Sequence, residues 1–141
     1  MDSSGFYRVF DHTADVGIEV DAGDSAGIFT RSALAMFDLM FGLETIGRTC
    51  ERRIEARADT LSELLVAWLN EVLYVHAAER LVFSEFVDAR LADGVFSARG
   101  LGEKLDPATH AGSMEIKAAT YHNLRFEQAG DKWTARIIFD V

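Results

Sequence analysis

The stretch Thr60-Leu61-Ser62-Glu63 and the apolar residues that follow it narrow the folds open to this chain more than any other feature. A threonine with a glutamate three residues on has the form of a capping box, in which each satisfies a main-chain donor at a helix start. Leu61, Leu64, Leu65, Trp68, Val72 and Val75 then recur at helical spacing. A helix with so one-sided a stripe must lie on another layer. A second helix is predicted from Ala26 to about Phe41, with Phe29, Ala33, Met36, Phe37 and Met40 on one face and Gly42 as its stop. At that spacing the methionines read as packing. His76, near a helix C-terminus, reads as a packing and dipole contact.

The partner layer is β. Phe6 to Phe10 suits a short strand, and Val16, Ile18 and Val20 alternate with Gly17, Glu19 and Asp21, so that Asp15, Glu19 and Asp21 share the polar face. Gly23-Asp24-Ser25 ends that strand and offers an N-cap. Arg48 to Ala58 reads as a moderately exposed strand carrying Cys50, Ile54, Ala56 and Ala58 inward. Residues 81–83 and 87–91 flank a bulge at Ser84-Glu85-Phe86, and Asp93-Gly94 is a tight hairpin signal. Gly100 to Lys104 lacks the Lys-Ser/Thr pair of a phosphate loop and no helical pattern follows. After a loop from Leu105 to Gly112, containing Pro107 and His110, one long strand is predicted with Ile116, Ala118, Leu124 and Phe126 on its apolar face. Thr120 and His122 share that face, so His122 reads as a buried, hydrogen-bonded histidine. Gln128 to Lys132 turns the chain into a last strand with Trp133, Ala135, Ile137 and Phe139 inward, and Arg136, Ile138 and Asp140 opposite. The fold class is α+β, with two helices packed on a mostly antiparallel sheet, in a single domain over residues 1–141.

Composition restricts function. With 141 residues, 49% of them hydrophobic, the chain can bury a core without staples. Its one cysteine, Cys50, suits a reducing compartment. Cytoplasm is the expected location, since Met1 to Gly5 lacks the features of a signal peptide and no apolar run suggests a membrane helix. A formal charge of −9 opposes attraction to a phosphate backbone, so direct nucleic-acid binding is not expected.

Chemistry is sought at the two ends of the chain. His12 and Asp15 lie at a strand junction, and the final strand runs to the last residue. Asp140, with the main-chain carbonyl and α-carboxylate of Val141, gathers oxygen donors within two residues. If that strand lies beside Asp15, the oxygens form an open site of the kind that takes Ca²⁺, Mg²⁺ or Mn²⁺ in preference to Zn²⁺. Ordinary solvated carboxylates account for the same residues. Lys117 is either an exposed strand lysine or a cation placed for phosphate or a partner's acidic group.

Four motifs, in order, resemble those of the archease family: His12-Thr13-Ala14-Asp15-Val16-Gly17, Gly102-Glu103-Lys104-Leu105-Asp106, Glu115 to His122, and the terminal Ile138-Phe139-Asp140-Val141. The third departs slightly, with Ala119 in the middle of Lys-Ala-x-Thr-Tyr. The resemblance covers essentially the whole chain. It implies a non-enzymatic cofactor of the GTP-dependent RNA-splicing ligase, promoting its metal-dependent guanylylation and multiple turnover in tRNA splicing or RNA repair. Carried over, it implies a divalent-metal site at Asp15, Asp140 and Val141, with Ca²⁺ as the bound ion and Mg²⁺ or Mn²⁺ as alternatives. Lys117 is implied in activation of the partner ligase, and His12 in support of the Asp15 loop. Two other readings stand beside it: a metal-stabilised, chaperone-like adaptor without ligase specificity, and a metal-dependent hydrolase, for which no convincing nucleophile and base pair is found.

Overall fold

The computed structural model describes residues 5–12, 15–112 and 114–141. Its elements are β1 (Tyr7–His12), β2 (Asp15–Ala22), α1 (Ser25–Phe41), a 3₁₀ turn (Leu43–Thr45), β3 (Cys50–Arg57), α2 (Leu61–Glu79), β4 (Leu81–Ala92), β5 (Val95–Lys104), β6 (Ala118–Ala119), β7 (Arg125–Ala129) and β8 (Lys132–Asp140). The fold is α+β and antiparallel throughout its described pairings, but the strands form two sheets where one was predicted. The first runs β1-β2-β8-β6, with β7 also pairing with β8; the second runs β3-β5-β4.

Local signals act where the sequence places them. Asp24 caps α1 by accepting from the Gly27 N–H at 2.7 Å, and Thr60 caps α2 by accepting from the Glu63 N–H at 3.2 Å. Asp93 and Gly94, both at positive φ, close the β4–β5 hairpin. Between Phe83 and Glu85 the register shifts, so Ser84 is the bulge. Beside that bulge the backbones come very close: a Cβ on Gly102 would run into the Val82 carbonyl oxygen.

Both helices touch both sheets. This widens the buried face of α2 beyond its predicted stripe, adding Val66, Leu69 and Leu73. Trp68 marks the centre: fully buried, it donates Nε1–H to the Phe29 carbonyl at 2.9 Å and meets the Phe96 ring edge-on at 4.7 Å. One cluster of buried residues joins the layers.

Three expectations need correction. The long strand from Ile116 to Phe126 is broken into β6 and β7. Thr120 Oγ1 donates to the Ile138 carbonyl and accepts from the His122 N–H, and Asn123 turns the chain at φ 51, so local bonds displace the ladder. His122 is consequently exposed. Ile138, expected on the polar face, is 1% exposed. It lies in a row with Phe10 and Gly17 across three strands, where the Phe10 ring occupies the space a Gly17 side chain would need and the Arg136 guanidinium stacks on that ring at 4.2 Å.

Glu103 and His110 fasten the loop after β5. One carboxylate oxygen, Oε2, accepts from the Gly47 N–H at 2.9 Å and lies 2.7 Å from His110 Nε2. Nδ1 of the buried His110 accepts from the Asp106 N–H at 2.9 Å, which assigns the ring proton to Nε2. The Gly47 and His110 bonds outweigh desolvation and hold the Glu103 carboxyl below its ordinary range.

Two predictions follow from this packing. Gly102→Ala is expected to cost about 1–3 kcal/mol through overpacking against Val82, measured by chemical denaturation. Because the folded pKa of Glu103 lies below the unfolded one, its contribution is present above the unfolded carboxylate range and lost as pH falls through the folded value. Glu103→Gln should therefore lower Tm at neutral pH, with the gap to wild type closing below about pH 4 in parallel thermal melts.

Candidate functional site at the meeting of β2, β8 and the Lys117 segment

The antiparallel register of β2 and β8 pairs Ala22 with Trp133 at one end and Val16 with Phe139 at the other. The ladder ends there, and the residues next in line are Asp15, the first of β2, and Asp140, the last of β8. Directly opposite residues of an antiparallel pair share a sheet face, so both carboxylates belong to the face away from the main core. The strands run this way because Ile18, Val20, Ile137 and Phe139 are all buried, and a slip of one residue would turn them outward.

On the other side of β8, Ala118 pairs with Asp140, and the Lys117 N–H donates to the Asp140 carbonyl at 2.8 Å. Asp15, Asp140 and Lys117 therefore come from three neighbouring segments at one end of the sheet. Asp140 and Lys117 are exposed and Asp15 half-buried; Val141 is half-buried and packs against the core. Among the described residues no three His, Cys, Asp or Glu side chains converge as a metal centre. Carboxylate and main-chain oxygens, such as Asp15, Asp140 and Val141 carry, are hard ligands of the kind that suits an alkaline-earth or Mn²⁺ ion. The expected support of Asp15 by His12 rests on a side chain outside the described part of the structure.

Glu19 and Asp21, on the same polar face as Asp15, are engaged elsewhere. Arg8 Nε donates to Glu19 at 2.9 Å, while Asp21 accepts from Thr134 Oγ1 at 2.9 Å and lies 3.6 Å from the Lys132 ammonium. Burial opposes the charge on Asp21, but Thr134, Arg8 and Lys132 outweigh it and hold the carboxyl below its usual range. These two acids serve the sheet surface.

Lys117 also borders a groove of about 940 Å³ between α2 and the chain leading into β6, lined among others by Met40, Leu73, Tyr74, Met114 and Ile116. Sequence reasoning missed this groove, since its walls are drawn from segments that share no pattern. It also missed Asn70, which lines the groove and hydrogen-bonds Ala119. An uncharged amide, beside Glu71, breaking the apolar run Leu64 to Val75 was the signal available.

No helix among the described residues is long and apolar enough to cross a membrane. A sequence model of the Archease protein family (MTH1598/TM1083) matches residues 7–141. Protein archease of Pyrococcus furiosus is 38% identical over 136 residues, covering 94% of this chain and 96% of its own. Protein archease of Methanosarcina barkeri is 36% identical over 139 residues, covering 96% and 95%. The solution structure of Methanobacterium thermoautotrophicum protein 1598 is similar with a TM-score of 0.83 at 30% identity, over 96% of this chain and 99% of that one. A Thermotoga maritima crystal structure, described as an archease and possible chaperone, shares the fold with a TM-score of 0.64 at 19% identity, over 95% and 96%. With the family model spanning both strands of the Asp15–Asp140 pair and these relatives covering nearly the full chain, the protein belongs to the archease family.

Proposed function

We propose that this protein is a cytoplasmic, non-enzymatic activator of a GTP-dependent RNA-splicing ligase, and that Asp15, Asp140 and the main-chain oxygens of Val141 hold a divalent cation for that task. The observation that carries the reading is the β2–β8 register, whose last pair, Val16 with Phe139, leaves Asp15 and Asp140 as the next residues of the two strands at one end of the sheet. Like charges at opposed positions in a sheet are destabilising, and a hard cation is the counter-charge that suits two such carboxylates. A bound Ca²⁺, Mg²⁺ or Mn²⁺ supplies fixed positive charge against phosphate oxygens during guanylylation.

The chain's own residues have separable parts in this. Asp15 and Asp140 present carboxylate oxygens from the ends of two neighbouring strands. Lys117 presents an exposed ammonium for a phosphate or an acidic group of the ligase. With a net charge of −9, the protein leaves RNA to the ligase and docks through protein contacts. The RNA is either tRNA exon halves or damaged RNA.

Asp15→Asn and Asp140→Asn are each expected to weaken Ca²⁺ binding in calorimetric titration by about tenfold or more, and to abolish stimulation of ligase guanylylation at limiting GTP and metal. Lys117→Ala should keep cation binding and lose stimulation. Full stimulation by an aspartate variant that no longer binds cation would sink the metal role. A wild-type protein that leaves the ligase unaffected, yet prevents aggregation of unrelated proteins, would replace the whole reading with the chaperone-like adaptor.

A further inference from the structure

Asn70 lies in the middle of α2, where asparagine is a poor helix residue because its side chain competes for main-chain groups. Here both amide atoms are committed to another segment. Nδ2 donates to the Ala119 carbonyl at 3.1 Å, and Oδ1 accepts from the Ala119 N–H at 2.8 Å. One side chain thus meets both main-chain groups of one residue, as a neighbouring antiparallel strand would.

β6 has need of such a substitute. It is two residues long and pairs with β8, while Ala119 is only 5% exposed, so its remaining N–H and C=O could not turn to water without cost. Two residues are also too few to fix a register by themselves. Loop precedes the strand and the Tyr121–Leu124 turn follows it, so neither flank restrains it as regular structure would. On the β8 side, Lys117 N–H bonds to Asp140, and the Thr120 N–H and hydroxyl both bond to Ile138. On the α2 side, Asn70 closes the clamp.

We propose that Asn70 is a positioning residue for the site: by standing in for a strand at Ala119, it fixes the main chain that carries Lys117 and pairs with Asp140. This rests on the roles given above to Lys117 and Asp140. Asn70 acts through that segment, its own amide already engaged.

Asn70→Ala and Asn70→Asp, made in the full chain, test it with two readouts. The first is amide hydrogen exchange by NMR, which needs no ligase. In Asn70→Ala the Ala119 amide should exchange about tenfold faster, while Ile18 and Ile137 in the sheet centre keep their protection. Asn70→Asp retains the acceptor for that N–H and should exchange more slowly there than Asn70→Ala. The second is the concentration for half-maximal stimulation of ligase guanylylation, expected to rise about tenfold in Asn70→Ala. Unchanged exchange at Ala119 would overturn the proposal, as would faster exchange with undiminished stimulation. Loss of protection throughout both sheets in both variants would also overturn it, because Asn70 would then hold the fold at large. Were the wild type inert towards the ligase, the ligase reading would fall by itself, and the exchange comparison would still decide whether Asn70 fixes this segment.

Discussion

The pairing of β2 with β8 is the constraint on which the rest of the molecule depends. It joins Val16 to Phe139 and Ala22 to Trp133, residues more than a hundred positions apart, and makes β8 a central strand with β2 on one side and β6 and β7 on the other. What holds the register is burial of Ile18, Val20, Ile137 and Phe139, not attraction between the strand ends. Asp15 and Asp140 are therefore brought together by apolar packing along the strands behind them. The sheet imposes their proximity.

The two-sheet arrangement explains why the helices are so heavily buried. Trp68 on α2 reaches the carbonyl of Phe29 on α1 and packs against Phe96 of β5 and Phe86 of β4, so one indole touches both helices and the second sheet. A polar N–H placed there must find a partner, and the Phe29 carbonyl supplies it. Glu103 does a comparable thing at the periphery, where one carboxylate joins the Gly47 and His110 loops.

Much of this was legible in the sequence because it is local. The caps at Asp24 and Thr60, the Asp93-Gly94 hairpin, the Ser84 bulge and the alternation of β2 each arise from a few adjacent residues. The errors came where distant residues decide. Ile138 sits at a polar-face position yet is buried, because Phe10 from β1 lies over the adjoining Gly17. Parity from Ile116 to Phe126 suggested one strand, but a single hydroxyl on Thr120 and a left-handed Asn123 interrupt it. The engagement of Glu19 and Asp21 was likewise hidden, since it depends on Arg8, Lys132, Thr134 and Arg136 arriving from other strands. Asp15 and Asp140 were chosen from motif and position, and neither periodicity nor composition places them side by side.

The central position of β8 has a consequence for how the molecule is made. β3, α2, β4 and β5 are consecutive along the chain, so the three-stranded sheet can assemble as soon as Lys104 has been synthesised. The other sheet cannot, because β2 must wait for a strand that follows every other element. At roughly 5–20 residues per second, that wait is on the order of ten seconds, during which Ile18 and Val20 lack their neighbour. A chain carried as far as Lys104 can thus close one sheet, while the end of the other that holds Asp15 waits for β8.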